Sequence, residues 1–122
     1  HIILRGGKDG PNYSKEHVES TCEKLRSKGL VSKVMVDFSH ANSEKQFKNQ
    51  LKVGANIASQ IENGSESVFG VMIESHINEG NQKVGPLSSL EYGVSITDSC
   101  IGWGDTEKLL RDLAKSVNKR NS

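Results

Sequence analysis

The sequence predicts an α/β fold with a parallel β-sheet. Three short apolar runs alternate with three stretches in which apolar residues recur at helical spacing. Strand–helix units in this order form parallel sheets through right-handed crossovers. The 122 residues suit one domain, and the apolar fraction of 34% is large enough for a hydrophobic core.

The first unit is predicted from an apolar run and a capped helix. Residues 1–4 (His-Ile-Ile-Leu) are expected to form a buried strand, which Arg5-Gly6-Gly7 ends. Ser14 is a suitable N-cap for a helix that extends to about Ser27, and Gly29 follows as the stop. The apolar face of this helix would consist of Val18, Cys22 and Leu25.

The second unit begins with a strand predicted at residues 33–38, and a third strand is predicted at residues 67–73. The third run is mostly apolar, as in a strand that is covered on both faces. Ser43 and Gln46 form a capping-box pattern, which predicts that a helix begins there and ends at Gly64. The expected apolar stripe of this helix is Phe47, Leu51, Ala55, Ala58 and Ile61.

The last third of the chain begins with an irregular segment, residues 78–92. A loop of this length in a compact domain is usually functional or mobile. Residues 95–98 are expected to begin a short turn or helical piece, and Asp105 or Gly104 to cap the final helix. The apolar stripe of that helix would consist of Leu109, Leu110, Leu113 and Val117.

Three strand–helix units leave both edges of the sheet unpaired, which a soluble protein normally avoids. A closed (β/α)8 barrel contains eight such units in about 250 residues. We therefore expect residues 1–122 to form about the last three units of a single barrel domain. The remainder would be missing, cut off or carried on another chain.

Composition argues against several classes of partner. The net charge is +1, and the Lys and Arg residues are scattered, whereas nucleic acids and anionic membranes require a concentrated basic face. No apolar run approaches the roughly 20 residues that span a bilayer. Cys22 and Cys100 do not resemble a disulfide framework. A cytoplasmic location is therefore expected.

Polar residues follow the predicted strands where a parallel α/β fold places its functional sites. His40 and Glu74 come directly after the second and third strands, and Asp98 lies farther along after the third. Because the carboxyl ends of parallel strands meet at one end of the sheet, we expect these side chains to converge on one divalent metal ion. One imidazole and two carboxylates suit Mn²⁺, Fe²⁺, Co²⁺ or Zn²⁺ better than Ca²⁺.

Each of these residues also has a structural interpretation. His40 could be a hydrogen-bonded loop residue, and Glu74 a solvated carboxylate at a strand end. Asp98 could be the acidic member of a capping box that begins at Ser95. Asp37, a carboxylate inside a strand, is expected to orient a ligand histidine.

Arg5-Gly6-Gly7 is a candidate phosphate-binding segment. A guanidinium suits bidentate contact with phosphate, and the two glycines would let backbone N–H groups approach an anion. The alternative is an ordinary Gly-Gly turn after a strand. Lys8 could add charge to the site or be solvated, and His76 is expected to have a supporting or structural role.

Several segments together resemble the C-terminal third of the class I 3-deoxy-D-arabino-heptulosonate 7-phosphate (DAHP) synthases. The resemblance covers essentially the whole chain in order, and the combination of segments is specific although no single one is. The histidine segment differs from that of the related octulosonate 8-phosphate synthases. The matching segments are residues 4–7 (Leu-Arg-Gly-Gly), 37–42 (Asp-Phe-Ser-His-Ala-Asn), 70–75 (Gly-Val-Met-Ile-Glu-Ser), 79–82 (Glu-Gly-Asn-Gln) and 95–103 (Ser-Ile-Thr-Asp-Ser-Cys-Ile-Gly-Trp).

This resemblance implies a barrel transferase that condenses phosphoenolpyruvate with D-erythrose 4-phosphate and water, at the first step of the shikimate pathway to chorismate and the aromatic amino acids. It implies that His40, Glu74 and Asp98 bind the metal, that His40 and Asp98 are catalytic, and that Arg5 binds the phosphate of phosphoenolpyruvate. The family's fourth metal ligand, a cysteine near the start of the barrel, does not lie among these residues. We therefore expect residues 1–122 alone to be inactive and the complete enzyme to be a homo-oligomer.

Two other functions remain open from the sequence. The chain could be a non-catalytic interaction module whose strand edges pair with another chain. It could also belong to a different metal-dependent barrel aldolase or lyase.

Overall fold

The computed structural model describes residues 1–122, in which three strands alternate with three α-helices. The strands form one parallel sheet in the order β1-β2-β3. The α/β fold with a parallel sheet is therefore confirmed. In chain order the elements are β1 (Ile2–Leu4), α1 (Lys15–Ser27), β2 (Val34–Asp37), α2 (Asn49–Glu62), β3 (Val68–Met72) and α3 (Trp103–Asn121).

The core lies where the helices pack on the sheet and on each other. Val34 and Val36 of β2 are fully buried, and Cys22 of α1 lies in the same cluster, as predicted. Gly54 allows α2 and α3 to pack closely, because a Cβ atom there would lie 2.4 Å from Leu109 Cδ1. No helix of the protein combines the length and the apolar character that a membrane span requires.

Part of the sheet is more exposed than the sequence predicts. Ile2 and Ile3 of β1 are 41% and 49% exposed, and Phe69 of β3 is 49% exposed. The predictions of a buried first strand and of a third strand covered on both faces are therefore wrong for residues 1–122. The physical reason is that strand side chains point to the two faces of the sheet, and within residues 1–122 nothing packs fully over these three side chains.

The first helix follows the sequence prediction closely. Ser14 is the N-cap of α1, and its Oγ accepts a hydrogen bond from the His17 N–H. After the helix, Gly29 adopts a φ of +70°, a left-handed conformation that favours glycine.

The second helix begins later than the capping-box pattern predicts. Residues His40–Ser43 form a short 3₁₀ helix, and Glu44 and Lys45 then have φ angles of 54° and 61°. Left-handed residues cannot continue a right-handed helix, so α2 begins only at Asn49. The predicted apolar stripe is right for Ile61, which is buried, and for Phe47, Leu51 and Ala58, which are partly buried against the core, but it is wrong for Ala55, which is exposed. The buried face of α2 consists of Gln50, Val53, Gly54, Ile57 and Ile61.

The third helix begins earlier than predicted. Its N-cap is Gly102 rather than Gly104 or Asp105, and the Thr106 N–H donates to the Gly102 carbonyl oxygen. Leu110 is 47% exposed, so its assignment to the apolar stripe is wrong. The buried residues of α3 are Thr106, Leu109, Leu113 and Ser116.

The segment between β3 and α3 is irregular, as predicted, apart from a short 3₁₀ helix at Leu87–Ser89. The side chain of Gln82 organises it, since Nε2 donates to the carbonyl oxygens of Glu91 and Val94 and Oε1 accepts from the Glu91 N–H. The backbone of Gly80 also exchanges two hydrogen bonds with that of Cys100. The bonds between Gly80 and Cys100 hold the two ends of this segment next to each other, near the carboxyl end of the sheet.

Candidate metal centre

The carboxyl end of the sheet brings together the three residues that the sequence singled out as metal ligands. His40 Nε2 lies 3.5 Å from Glu74 Oε1 and 3.6 Å from Asp98 Oδ2. One ligand atom from each residue lies within 4.8 Å of the others. His40 follows β2 by three residues and Glu74 follows β3 by two, so the parallel register places them side by side.

Asp37 orients the imidazole of His40. The Asp37 carboxylate is buried; its Oδ1 accepts a hydrogen bond from the Ser39 N–H, and its Oδ2 lies 2.7 Å from His40 Nδ1. Because a carboxylate accepts, Nδ1 is the donor, and Nε2 is directed at Glu74 and Asp98. His40 has a φ of 53°, a strained conformation that costs of order 1–3 kcal/mol and must be held by such contacts.

Ser39 and Gln50 hold Glu74, and neither was predicted from the sequence. Ser39 Oγ donates to Glu74 Oε2 at 2.9 Å, which leaves Oε1 directed at His40. The side-chain amide of Gln50 binds the backbone N–H and carbonyl oxygen of Glu74. A polar residue on the buried face of a helix is the signal that could have identified Gln50.

Asp98 lies on the irregular segment, and its side chain is 68% exposed. The capping box that Ser95 and Asp98 could have formed is absent, because no helix begins there; Ser95 Oγ accepts from the Thr97 N–H instead. The Ile101 N–H donates to the Glu74 carbonyl oxygen at 3.0 Å. This bond joins the Asp98 segment to the backbone that carries Glu74.

The geometry fits a divalent cation. Ligand atoms that lie about 2.1 Å from one cation at tetrahedral or octahedral angles are about 3.0–3.4 Å apart. The separations of 3.5 and 3.6 Å from His40 Nε2 are close to this range. With Nδ1 directed at Asp37, Nε2 is the imidazole atom that faces the two carboxylates and would serve as the ligand atom for a cation between them.

The three residues line a cleft of about 520 Å³ that also contains Arg5 and Lys45. The glycines after Arg5 do not offer free N–H groups to an anion, and that prediction is wrong. The Gly6 N–H donates to Asn12 Oδ1 at 2.7 Å, and the Gly7 N–H donates to the Gly10 carbonyl oxygen. Because both groups are bound within the loop, only the guanidinium of Arg5 remains in this segment as a group that could contact an anion.

Gly6 has a packing role instead. A Cβ atom at this position would lie 2.7 Å from Ala41 Cβ and 2.8 Å from the backbone nitrogen of Asn42. Its φ of +78° is also one that other residues rarely adopt. Glycine is therefore required for the loop after β1 to approach the loop after β2.

Asn42 joins the ends of β1 and β2, a role that was not predicted from the sequence. The buried side chain donates from Nδ2 to the carbonyl oxygens of Leu4 and Asp37, and its Oδ1 accepts from the Asn12 N–H. Its own N–H donates to the Arg5 carbonyl oxygen. Asn42 thereby sets the position of Arg5 relative to His40.

A comparison with known families agrees with this arrangement. Residues 1–111 match the family model described as the DAHP synthetase I family. The chain belongs to the DAHP synthetase I family. The resemblance that the sequence motifs indicated is thus confirmed.

Members of the DAHP synthetase I family from several organisms are similar to this chain over nearly all its length. This chain is 56% identical over 120 residues to the Phe-sensitive phospho-2-dehydro-3-deoxyheptonate aldolase of Escherichia coli K12. The alignment covers 98% of this chain and 34% of the relative. This chain is 49% identical over 126 residues to the phenylalanine-inhibited enzyme of that name from Saccharomyces cerevisiae, with the same coverage. The chain spans about a third of the length of these relatives.

A solved structure of a phospho-2-dehydro-3-deoxyheptonate aldolase has the same fold as this chain over residues 1–122. The phospho-2-dehydro-3-deoxyheptonate aldolase of Francisella tularensis SCHU S4 superimposes with a TM-score of 0.95 at 46% sequence identity. The superposition covers 100% of this chain and 35% of that structure.

Two further residues of this DAHP synthetase I chain lie near the proposed ligands. Cys100 is buried next to the site, with its Sγ 3.5 Å from the Asp98 carbonyl oxygen. Burial raises the pKa of the Cys100 thiol, and the charges of Glu74 and Asp98 raise it further, while a hydrogen bond with Ser95 lowers it. His76 is exposed, and its Nδ1 accepts from the Ile77 N–H, so its contact is local.

Proposed function

We propose that this chain forms the C-terminal part of a single (β/α)8 barrel domain, and that this domain is a metal-dependent 3-deoxy-7-phosphoheptulonate synthase. The reaction condenses phosphoenolpyruvate with D-erythrose 4-phosphate and water to give DAHP and inorganic phosphate. The observation that carries the proposal is the convergence of His40, Glu74 and Asp98 in a chain whose relatives are named as aldolases of this product. The unpaired edges of the sheet support the barrel, in which further strands would cover them.

The donor set of one imidazole and two carboxylates suits Mn²⁺, Fe²⁺, Co²⁺ or Zn²⁺. When bound, such an ion supplies Lewis-acid stabilisation of the negative charge that develops on an aldehyde oxygen. His40, Glu74 and Asp98 would hold it, with Asp37 and Ser39 fixing the orientation of His40 and Glu74.

The protein groups would act on the two substrates and on the leaving phosphate. In the reaction the enol carbon of phosphoenolpyruvate bonds to the aldehyde carbon, water adds to the neighbouring carbon, and the bond between that carbon and the phosphate oxygen breaks. The guanidinium of Arg5, at the edge of the cleft, would bind the phosphate and stabilise its charge as it leaves. Asp98 faces the same cleft and is proposed to transfer protons to or from water or the sugar. His40 is proposed to act in catalysis by holding the metal, since its Nδ1 donates to Asp37 and its Nε2 faces the two carboxylates.

The remaining parts of the proposal follow the sequence-based expectations. The rest of the barrel is the first partner of this chain, and the complete enzyme is proposed to be a cytoplasmic homo-oligomer with no nucleic-acid or membrane partner.

The gene product that carries this sequence provides the decisive test of function. We expect inorganic phosphate to be released only when phosphoenolpyruvate, erythrose 4-phosphate and a divalent metal are all present, and a chelator to stop the release. A different barrel aldolase would turn over another aldehyde or another donor instead. Absence of turnover in the metal-loaded gene product would favour a non-catalytic interaction module.

Arg5→Ala should mainly weaken the binding of phosphoenolpyruvate. Loss of hydrogen bonds to a charged group costs about 1.5–3 kcal/mol, which corresponds to a roughly 10- to 100-fold rise in the KM for phosphoenolpyruvate. Steady-state kinetics with both substrates varied would measure this change. Lys8→Ala is the matched control, because Lys8 is a neighbouring exposed cation that does not line the cleft. An equal effect of both variants would show that only overall charge matters and would remove Arg5 from its proposed role.

A further inference from the structure

Gln50 is a polar side chain in an apolar environment. It lies in the first turn of α2, is 0% exposed, and shares the buried face of the helix with Val53, Ile57 and Ile61. Burying an amide is unfavourable unless its donor and its acceptor are both hydrogen-bonded. The partners of Gln50 therefore indicate what the residue does.

Both functional atoms of the Gln50 amide bind the backbone of a single residue. Nε2 donates to the Glu74 carbonyl oxygen at 3.0 Å, and Oε1 accepts from the Glu74 N–H at 2.9 Å. The pairing of β2 with β3 ends at Asp37 and Met72, so Glu74 lies beyond the reach of a neighbouring strand on that side. The amide of Gln50 gives Glu74 the donor and the acceptor that the peptide group of a paired strand would otherwise provide.

Two contacts complete the positioning of Glu74. At the backbone, the Ile101 N–H donates to the same carbonyl oxygen of Glu74 at 3.0 Å. At the end of the side chain, Ser39 Oγ binds Oε2 and leaves Oε1 directed at His40. Gln50 itself does not line the cleft, so it can influence the metal only through Glu74.

We propose that Gln50 is a positioning residue, which fixes the backbone of Glu74 so that its carboxylate meets the metal at the correct distance and angle. This inference rests on the proposed metal site. Partners of this kind, which orient a ligand without touching the metal, typically change metal affinity by about 10- to 100-fold when removed.

The test compares Gln50→Met with Gln60→Met in the gene product that carries this sequence. Methionine retains the length of the side chain but cannot form either hydrogen bond. Gln60 is a matched control, since it lies on the same helix and donates from Nε2 to the backbone carbonyl oxygen of Tyr13, away from the site. The measurements are the Kd for Mn²⁺, the visible absorption spectrum of the Co²⁺-loaded protein, and the thermal unfolding midpoint of each variant without metal.

We expect Gln50→Met to raise the Kd for Mn²⁺ about 10- to 100-fold and to change the Co²⁺ spectrum, whereas Gln60→Met changes neither. Unchanged affinity and spectrum in Gln50→Met would overturn the proposal and leave Gln50 a structural residue, even if its unfolding midpoint falls. If Gln50→Met does not fold, Gln50→Leu gives the answer, since its branched apolar side chain suits the buried face of the helix and forms neither hydrogen bond to Glu74. A rise in its Kd supports the proposal, and an unchanged Kd overturns it.

Failure of the proposed metal site would be recognised in the unsubstituted protein, which would then show no saturable binding of Mn²⁺ and no Co²⁺ spectrum, and both proposals would fall. Saturable metal binding without release of phosphate from phosphoenolpyruvate and erythrose 4-phosphate would remove the proposed reaction and leave the role of Gln50 to its own test. Binding that His40→Ala abolishes and Gln50→Met leaves intact would remove only the role of Gln50.

Discussion

His40→Ala, introduced into the complete gene product, should remove the bound metal and the activity together. His40 Nε2 lies within 3.6 Å of both carboxylates, so the variant would leave Glu74 and Asp98 to hold the cation alone. The Kd for Mn²⁺ should rise by more than the roughly 10- to 100-fold that loss of an orienting partner causes. The value of kcat/KM at a fixed metal concentration should fall by at least about 10²-fold. Metal analysis of the purified variant and steady-state kinetics would measure both effects.

His76→Ala is the matched control for this prediction. His76 also follows β3, but its side chain is exposed and its Nδ1 is bound locally to the Ile77 N–H. We expect its metal content and turnover to remain close to those of the unsubstituted protein. If His40→Ala and Glu74→Ala both retained full metal stoichiometry, the assignment of these residues as ligands would be wrong.

Asn42→Ala should cause the largest loss of stability among substitutions near the site. The buried Asn42 side chain makes three hydrogen bonds, to the backbone of Leu4, Asp37 and Asn12. Alanine would leave these groups without partners, and each unsatisfied buried group costs about 1–3 kcal/mol. We expect the free energy of unfolding to fall by about 3 kcal/mol or more, measured as a lower urea midpoint at an unchanged slope.

Asn63→Ala provides the comparison for Asn42. Asn63 also donates from its side chain to a backbone carbonyl oxygen, that of Ser59, but it is exposed, so water can replace the lost bond. Its effect on the free energy of unfolding should stay within about 0.5 kcal/mol. Equal effects of the two substitutions would show that Asn42 does not hold the strand ends together.

The late start of α2 shows how the structure departs from a local sequence prediction. The capping-box pattern at Ser43 is locally correct, yet the left-handed conformations of Glu44 and Lys45 delay α2 until Asn49. Gln50 then lies in the first turn of the helix, where its amide binds the backbone of Glu74 beyond the end of β3. A capping-box pattern spans only four residues, so it cannot show the backbone conformation that tertiary contacts impose on the loop before α2.

The sequence by itself determined the order of strands and helices and the placement of His40 and Glu74 directly after two strands. These features follow from short-range patterns, and parallel pairing brings successive strand ends to one edge of the sheet. Only the tertiary structure decided which groups support the site: Ser39 and Gln50 on Glu74, and Asn42 between the loops. These contacts join residues 24 to 38 positions apart, and their hydrogen bonds form only when the packing of the helices and strands fixes the distances to a few tenths of an ångström.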